Sequence, residues 1–430
     1  MNKLFKLEEH GTSFWREVTA GLISFITIVY IVAVNSSIMA DAGIPYELAI
    51  LGTILTCTAS CLLMGLWSNA PLILAPGMGI NVMFTYTLVQ KSGLSWQEAL
   101  LVVIITGLIF VLIAFTPIAA SISQAIPHSL KEGLTVGIGI LLTMIGLKNT
   151  GVIVANEGTL VSIGSFSDPA VLATLIGIII TVTLFIKNVP GNILISIIIN
   201  SIIAFLFGLI DLSELHWSVP SFNEYGELFG AFSWSAIGSM TFWFAAFSLA
   251  MVVIFENIGL VYGQTRLAGS PQKYKKALQA TSLSVVLSGL FGSSPTVSTV
   301  EGTSGITAGG RTGLTSVTTG ILFLLSLLII PLIKLIPDSA ISPVLVLIGA
   351  LMLQSIKGIN LEDLTEAFPA YVIIVFIPLT YSIVDGLALG FIAYPVIKLL
   401  TGKAREVSTT LFIIAALFLL NYLISAIQGA

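Results

Sequence analysis

Long apolar runs alternate with short polar breaks along nearly the whole chain. Runs of about 20 residues are long enough for an α-helix to cross a bilayer. The pattern therefore predicts an all-α polytopic membrane protein with about fourteen transmembrane segments, and a further apolar run at residues 409–426 is either an extra span or an interfacial helix. We place the fourteen segments near residues 18–38, 48–67, 71–90, 97–117, 130–147, 169–187, 191–210, 240–263, 277–292, 296–310, 313–336, 341–357, 369–384 and 385–400.

The third predicted segment is interrupted by proline and glycine. Residues 69–81 read NAPLILAPGMGIN, in which Pro71 and Pro76 prevent a continuous helix. The glycines that follow tolerate backbone angles that other residues avoid. We therefore predict a short extended piece at residues 72–75 and a half-helix that begins near Gly77.

The tenth predicted segment is interrupted in a similar way. Residues 289–320 are rich in Gly, Ser and Thr, and Glu301 is the only charged residue within 277–310. We predict an extended piece at residues 296–299 and a half-helix that begins near Glu301 and Gly302. Non-helical backbone at membrane depth must be buried in protein or line a cavity, so the stretch is a candidate binding site. The alternatives are glycine kinks used only for packing and a carboxylate that only caps the half-helix.

The chain contains an internal repeat. At an offset of 210 residues the fifth segment matches the twelfth, and at an offset of 225 Gly77 falls on Gly302. Seven segments per half is an odd number, which predicts two inverted repeats with the ligand site where the interrupted segments meet. The matches at offset 210 are Ile126, Pro127, Ser129, Val136, Ile138, Gly139 and Leu141 with Ile336, Pro337, Ser339, Val346, Ile348, Gly349 and Leu351.

Basic residues predict the orientation in the membrane. With a cytoplasmic N-terminus, the connection between the eighth and ninth segments and the residues after the fourteenth both lie in the cytoplasm, as the positive-inside rule requires. We therefore expect a multi-pass protein of the cell membrane with its N-terminus in the cytoplasm. The basic residues concerned are Arg266, Lys273, Lys275, Lys276, Lys403 and Arg405.

Composition narrows the chemistry further. The 430 residues are 56% hydrophobic and 9% charged, whereas soluble domains have roughly 25% charged residues. The net charge of −4 and the scattered basic residues argue against nucleic acid as a partner. Cys57 and Cys61 lie in an apolar run and are interpreted as packing residues, and His10, His128 and His216 lie near segment ends. We therefore expect no metal site, no cofactor and no histidine-centred active site.

Two carboxylates lie within predicted membrane segments. Glu301 lies at the break in the tenth segment, and Glu256 lies in the eighth, in the run VVIFENIGLVYG. An ionisable residue at membrane depth is a functional-site hypothesis, because keeping it there costs several kcal/mol. No basic residue in the central spans pairs with Glu256, and desolvation penalises an ionised carboxylate. These features favour a proton-coupling or ligand-binding role over a structural one.

Neighbouring small, polar and aromatic residues extend the candidate set. Asn81 follows the break in the third segment and is a candidate to face the site, and Phe255 is a candidate to stack on a flat ring. The alternative is that Phe255 only packs against lipid or protein. Tyr30 is a polar residue in the first segment, and such residues more often form hydrogen bonds between helices than bind ligands. Gly259 and Gly263 have the spacing that lets another helix approach closely.

Four stretches carry a family resemblance: EVTAGLISFITIVYIVAVN, LAPGMGINVMF, VEGTSGITAGGRTGLTSV and IPLTYSIVDGLALGFIAY. Together they resemble the purine permeases of the AzgA-like branch of the nucleobase:cation symporter-2 family, over nearly the whole chain. The resemblance implies a core domain, here residues 1–120 and 240–337, and a gate domain, residues 121–239 and 338–403. Residues 404–430 form a C-terminal apolar helix in this scheme.

The resemblance also implies a site between the third and tenth segments. It assigns Glu256 and Glu301 to the bound base, together with the backbone from Gly77 to Asn81. Two residues depart from the family pattern, because Asp usually stands in place of Glu256 and Asn-Pro in place of Asn35-Ser36. Our candidate substrate-binding residues are Glu256, Glu301, Gly77, Gly79, Asn81, Gly302, Thr303 and Phe255, and the proton-coupling candidates are Glu256 and Glu301.

The leading hypothesis is a secondary active transporter that imports a purine nucleobase (adenine, guanine or hypoxanthine) by proton symport. Access would alternate between the core and gate domains. An anion exchanger of the same fold is the alternative, and two unpaired carboxylates argue against it by repulsion. The sequence offers no nucleophile–base pair near the site, so it does not indicate an enzyme. The expected partners are a purine base, protons and the lipid bilayer, and the sequence is compatible with a homodimer.

Overall fold

The computed structural model describes residues 5–117, 126–211 and 225–428 of the chain. His216 and the predicted core–gate boundary between residues 120 and 121 lie outside these ranges. Within them, the chain folds mostly into helices, as the hydrophobic pattern predicted.

Nine helical stretches in the described chain are long and apolar enough to cross a membrane. Three shorter apolar helices have 10 to 17 residues, so a count of fourteen segments also needs the short and interrupted ones. The fold is that of a multi-pass membrane protein. Its helices are α1 (Phe14–Ile28), α2 (Ile31–Ala40), α3 (Tyr46–Leu63), α4 (Met78–Val82), α5 (Trp96–Phe115), α6 (His128–Asn149), α7 (Pro169–Ile186), α8 (Asn192–Leu206), α9 (Met240–Leu267), α10 (Tyr274–Leu290), α11 (Thr303–Thr307), α12 (Gly313–Leu325), α13 (Ile330–Lys334), α14 (Asp338–Met352), α15 (Leu364–Thr380), α16 (Ile383–Leu400) and α17 (Thr409–Gln428), and its strands are β1 (Leu74–Pro76), β2 (Ile153–Asn156), β3 (Leu160–Ile163) and β4 (Thr296–Ser298).

Strands β1 and β4 form an antiparallel pair inside the helical bundle. Ala75 lies opposite Val297, and every residue of both strands is buried. The extended pieces predicted at residues 72–75 and 296–299 overlap these strands. Proline and glycine in the third segment and the Ser/Thr-rich sequence in the tenth disfavour a continuous helix there. Pairing then satisfies the backbone groups that a helix would have satisfied internally.

The all-α prediction needs a correction in the connection between α6 and α7. Strands β2 and β3 form an exposed antiparallel hairpin there. Its turn is held by Asn156, whose Oδ1 accepts the backbone N–H groups of Gly158 (2.9 Å) and Thr159 (3.0 Å). The hairpin was missed because neither strand buries a continuous face, so hydrophobic periodicity gives no signal.

The repeated segments α6 and α14 pack directly against each other. A Cβ on Gly139 would lie 2.8 Å from the carbonyl oxygen of Gly349. A Cβ on Gly349 would in turn collide with the carbonyl oxygen of Gly139. The two glycines that match at the 210-residue offset therefore lie in the same contact, where the missing side chains let the backbones approach closely.

Helices from the two ends of the sequence interleave. Helix α12 packs against α1 and α3, α5 packs against α9 and α10, and α14 packs against α6, α7 and α8. Helix α17 packs on α16, where the ring centroids of Phe391 and Phe418 lie 6.2 Å apart. Each half of the chain therefore buries its apolar surface against the other half.

Candidate functional site

The starts of the two half-helices are packed against each other's strands. The N–H of Gly77 donates to the carbonyl oxygen of Pro295 (3.2 Å). A Cβ on Gly77 would lie 3.0 Å from the side chain of Val297, and a Cβ on Gly302 would lie 3.0 Å from the side chain of Ile73. Glycine thus allows the close approach at both positions. The amide of Gly77 is already used by this pairing.

Gly79 and Asn81 lie in α4, directly after β1. A Cβ on Gly79 would lie 3.0 Å from Ile138, so this glycine brings α4 close to α6. Asn81 is fully buried, and its Nδ2 lies 3.9 Å from the sulfur of Met78. Its Oδ1 has no hydrogen-bond partner among the described residues. Because burying an acceptor without a partner costs free energy, this oxygen is well suited to receive a ligand N–H.

Glu301 lies in a single 3₁₀ turn (Val300–Gly302) between β4 and α11. Its Oε1 accepts a hydrogen bond from the hydroxyl of Tyr30 at 2.6 Å. Thr303, two residues further, donates its hydroxyl to the carbonyl oxygen of Val300 at 2.7 Å. The Thr303 hydroxyl therefore already has a partner, whereas the carboxylate of Glu301 keeps acceptor capacity at Oε2.

Glu256 lies in α9, close enough to Glu301 for the two carboxylates to interact electrostatically. Within the described part of the chain, no group donates a hydrogen bond to the Glu256 side chain. Phe255 reaches toward α6, where the Nζ of Lys131 lies 5.6 Å from the centroid of its ring. The structure thus places the two candidate carboxylates within electrostatic range of each other and places the ring of Phe255 near Lys131.

Two amide side chains fasten α9 to β4, a role that the sequence analysis missed. The Oδ1 of Asn257 accepts the N–H of Ser298 (3.0 Å). Gln264 donates to the carbonyl oxygen of Thr299 (2.8 Å) and accepts the hydroxyl of Ser298 (2.7 Å). Residues seven apart lie on one face of a helix, so two buried amides at this spacing beside Glu256 were the available signal.

The prediction that Gly259 and Gly263 mediate a close helix contact is wrong. A Cβ on either residue would meet no atom within 4 Å, and both residues are exposed. Ser248 and Val252 lie on the same face nearer the start of α9, and both are buried. The face of α9 that carries Glu256 is therefore buried toward the start of the helix and exposed toward the end of the helix. Spacing alone cannot distinguish glycines that face a helix from glycines that face an open space.

Exposed polar contacts connect helices on the side where α9 begins. They join helices that the sequence analysis assigned to the core with helices that it assigned to the gate. The contacts are Ser37 Oγ to Asp338 Oδ1 (3.1 Å), Asn149 Nδ2 to Asp41 Oδ2 (3.4 Å) and Lys91 Nζ to Asp385 Oδ2 (3.3 Å).

The GGRTGLT stretch has a structural role that the sequence did not reveal. Glu17 of α1 is fully buried and caps the start of α12, where it accepts the N–H of Arg311 (2.9 Å) and the hydroxyl of Thr315 (2.6 Å). Arg311 in turn donates from Nη1 to the carbonyl oxygen of Ile306 at the end of α11 (2.7 Å). A carboxylate at a helix start and a cation at a helix end both complement the helix dipole.

Neither metal ligation nor disulfide bonding is found in the described residues. These residues contain no group of three or more His, Cys, Asp or Glu side chains that could hold a metal ion. Cys57 and Cys61 are buried free thiols, and the thiol of Cys61 donates to the carbonyl oxygen of Leu74 in β1 (3.3 Å). This contact agrees with the interpretation of the cysteines as packing residues.

Two solved structures have a similar fold. The transmembrane domain of a cyanobacterial bicarbonate transporter, BicA, superposes with a TM-score of 0.67 at 19% identity, over 87% of this chain and 97% of that domain. The murine anion transporter Slc26a9 gives a TM-score of 0.65 at 14% identity, over 90% of this chain and 68% of that protein. At these identities the likeness establishes the fold alone.

Sequence comparison identifies the family. A family model described as "Permease family" matches residues 16–389. The nucleobase transporter PlAzg2 of Paenibacillus larvae is 50% identical over 385 residues, which are 89% of this chain and 77% of that protein. The guanine/hypoxanthine permease PbuO of Bacillus subtilis is 36% identical over 98% of this chain and 100% of its own, and the adenine permease AdeP of Escherichia coli is 36% identical over 98% and 95%. The chain belongs to this permease family. Its relatives are named as permeases and transporters, and it is not an enzyme.

Proposed function

We propose that the protein imports a purine nucleobase, namely adenine, guanine or hypoxanthine, across the cell membrane together with a proton. The observation that carries this proposal is the pair of neighbouring carboxylates, Glu256 and Glu301, beside the antiparallel strands β1 and β4. Purine bases present ring and exocyclic N–H groups, and ionised carboxylates are strong acceptors for them. The names of the relatives support the same substrate class.

In the proposed binding mode, the base lies against the two carboxylates. Asn81 offers an unpartnered amide oxygen, and Phe255 supplies an aromatic ring from α9. Gly77, Gly79, Gly302 and Thr303 shape the backbone at the starts of the two half-helices.

We propose that Glu256 couples transport to protons. Moving an ionised, unpaired carboxylate from water-filled to closed surroundings costs much free energy. Moving its protonated form costs less. Among the described residues Glu256 has no hydrogen-bond donor, whereas Glu301 has one. The difference supports Glu256 as the proton carrier, with Glu301 as the second candidate.

The proposed mechanism is alternating access between the core domain (1–120, 240–337) and the gate domain (121–239, 338–403), built from fourteen segments in two inverted repeats. Antiparallel pairing of β1 with β4 and the Gly139–Gly349 contact support the inverted relation. The basic residues near the end of α9 support a cytoplasmic N-terminus. The open face of α9 would then lead to the cytoplasm. A homodimer is compatible with this arrangement.

Anion transport is the alternative, because the two proteins of similar fold are named as bicarbonate and anion transporters. Adjacent carboxylates at the site would repel an anion, so the base is favoured. Purified protein in liposomes tests the choice, with labelled adenine, guanine, hypoxanthine and bicarbonate supplied outside and a proton gradient imposed. We expect uptake of at least one base that an uncoupler abolishes. Uptake of bicarbonate without uptake of any base would contradict the proposal.

A further inference from the structure

Tyr30 lies at a break in the first membrane segment. Helix α1 ends at Ile28 and α2 begins at Ile31, so Tyr30 occupies the short turn between them. Its side chain is only 2% exposed, and its hydroxyl donates to Oε1 of Glu301 at 2.6 Å. The hydrogen bond joins residues 271 positions apart in the sequence, and each of them lies at a break in a helical segment.

Helix α1 also holds the backbone of the Glu301 turn. The hydroxyls of Thr27 and Ser304 lie 2.8 Å apart. Ser304 donates to the backbone carbonyl oxygen of Glu301 (2.7 Å), and a side chain on Gly305 would collide with Ser24. The turn therefore lies tightly against α1, and Tyr30, one turn beyond Thr27, reaches its carboxylate.

We propose that Tyr30 is a positioning residue, which orients the Glu301 carboxylate so that Oε2 accepts an N–H of the transported base. This inference rests on the proposed function. A phenol that occupies one carboxylate oxygen removes the rotational freedom of the side chain, and a group fixed before binding loses less entropy when the ligand arrives. No described residue donates to Oε2. One oxygen is thus held by the protein, and the other is free for the ligand.

The test compares Tyr30→Phe with Tyr46→Phe as a matched control. The hydroxyl of Tyr46 makes a long contact of 3.5 Å with the carbonyl oxygen of Ile333 and lies near Asp338, and it does not bond to Glu256 or Glu301. Binding constants are measured on purified protein for the best-bound of adenine, guanine and hypoxanthine and for its N-methylated analogues. In the wild-type protein, methylation of the N–H that Glu301 accepts should weaken binding more than the other methylations.

Tyr30→Phe should weaken binding of the parent base by about tenfold, the effect expected for one hydrogen bond to a charged group. It should weaken binding of the analogue with the blocked N–H much less, so the discrimination between the two collapses. Tyr46→Phe should leave both affinities unchanged. A purely structural role of Tyr30 would lower all affinities by the same factor, and that result would overturn the inference.

A second variant covers the case in which Tyr30→Phe does not fold correctly. If Tyr30→Phe protein is not monodisperse in detergent, Thr27→Val replaces it, because it removes the α1 hydroxyl that contacts Ser304 in the segment after Glu301, with little change in shape. The same loss of discrimination is expected, and equal weakening for all analogues would overturn the inference.

Failure of the wild-type protein to bind any base would overturn both the proposed function and the inference. Normal base binding with an unchanged discrimination ratio in the variant would overturn the inference alone.

Discussion

Glu301 and Glu256 have different surroundings although they are neighbours. Glu301 is held by Tyr30, and among the described residues Glu256 has no donor. Neighbouring carboxylates can therefore take different roles, because a hydrogen bond orients one of them and not the other. This asymmetry leads to separate predictions for the two residues.

We expect Glu301→Gln to weaken base binding by about 1.5 to 3 kcal/mol, the range for a hydrogen bond to a charged group. The amide keeps the shape of the side chain but loses the charge that strengthens acceptance of an N–H. Equilibrium binding on purified protein measures the effect, with Glu157→Gln on the exposed β2–β3 turn as the control. Wild-type affinity in folded Glu301→Gln protein would remove this residue from the site.

We expect Glu256→Gln to lose uphill uptake and the response to a pH gradient, because the amide mimics the neutral carboxyl permanently. Downhill exchange of base for base should survive in part, since the neutral form can still cross between states. Liposomes preloaded with unlabelled base measure exchange, and liposomes with an imposed proton gradient measure accumulation. Accumulation at the wild-type level that an uncoupler still collapses would assign proton coupling to another group, with Glu301 next.

At the scale of elements, α9 and β4 form one unit. The amides of Asn257 and Gln264 bind the backbone of the strand that leads into the Glu301 turn. The helix that carries one carboxylate is therefore fixed to the segment that carries the other. A change at this attachment should alter the site without touching either carboxylate.

We expect Gln264→Leu to lower both stability and base affinity. The substitution leaves the Ser298 hydroxyl without its acceptor and removes one of the two donors to the Thr299 carbonyl, which keeps the N–H of Gly302. An unsatisfied buried group costs about 1 to 3 kcal/mol. Thermal unfolding in detergent, with and without base, measures the two effects. Gln272→Leu, at an exposed position shortly after α9, is the control and should change neither. An unchanged melting temperature for Gln264→Leu would contradict the proposed attachment.

The sequence predicted these elements unequally. Proline and glycine located both strands and both half-helix starts, and the rarity of acidic residues in membrane segments pointed to both glutamates. Gln264 and Glu17 were missed because a buried polar residue gives no sign, in one sequence, of which distant backbone it binds. Gly259 and Gly263 were misassigned because a spacing rule does not report what lies opposite. Residue contacts across more than two hundred positions can be read only from the folded chain.

At the scale of the whole molecule, the contacts between helices are distributed unevenly. On the side where α9 begins, pairs such as Ser37 with Asp338 join the two groups of helices, whereas Gly259 and Gly263 near the opposite end of α9 are exposed. In the proposed mechanism this asymmetry is one end state of an alternating-access cycle, and the other state requires the joined helices to separate.

We expect a disulfide between Ser37→Cys and Asp338→Cys to stop transport, because the native side-chain atoms at these positions lie 3.1 Å apart and must separate in the opposite state. Reduction should restore uptake, and each single substitution alone should be insensitive to oxidant. The native cysteines are buried, which limits competing cross-links. Full uptake by protein shown to be cross-linked would contradict the proposed motion.

The pairing of β1 with β4 also constrains the order of biosynthesis. Leu74 finds its partner Ser298 only after more than two hundred further residues have been synthesised. Until then the backbone of β1 would face the membrane interior without its partner strand, which lipid cannot replace. The nascent first half must therefore be sheltered by the insertion machinery, by water or by its own helices. Separately expressed halves of the chain should accordingly be degraded alone and stabilised when they are produced together.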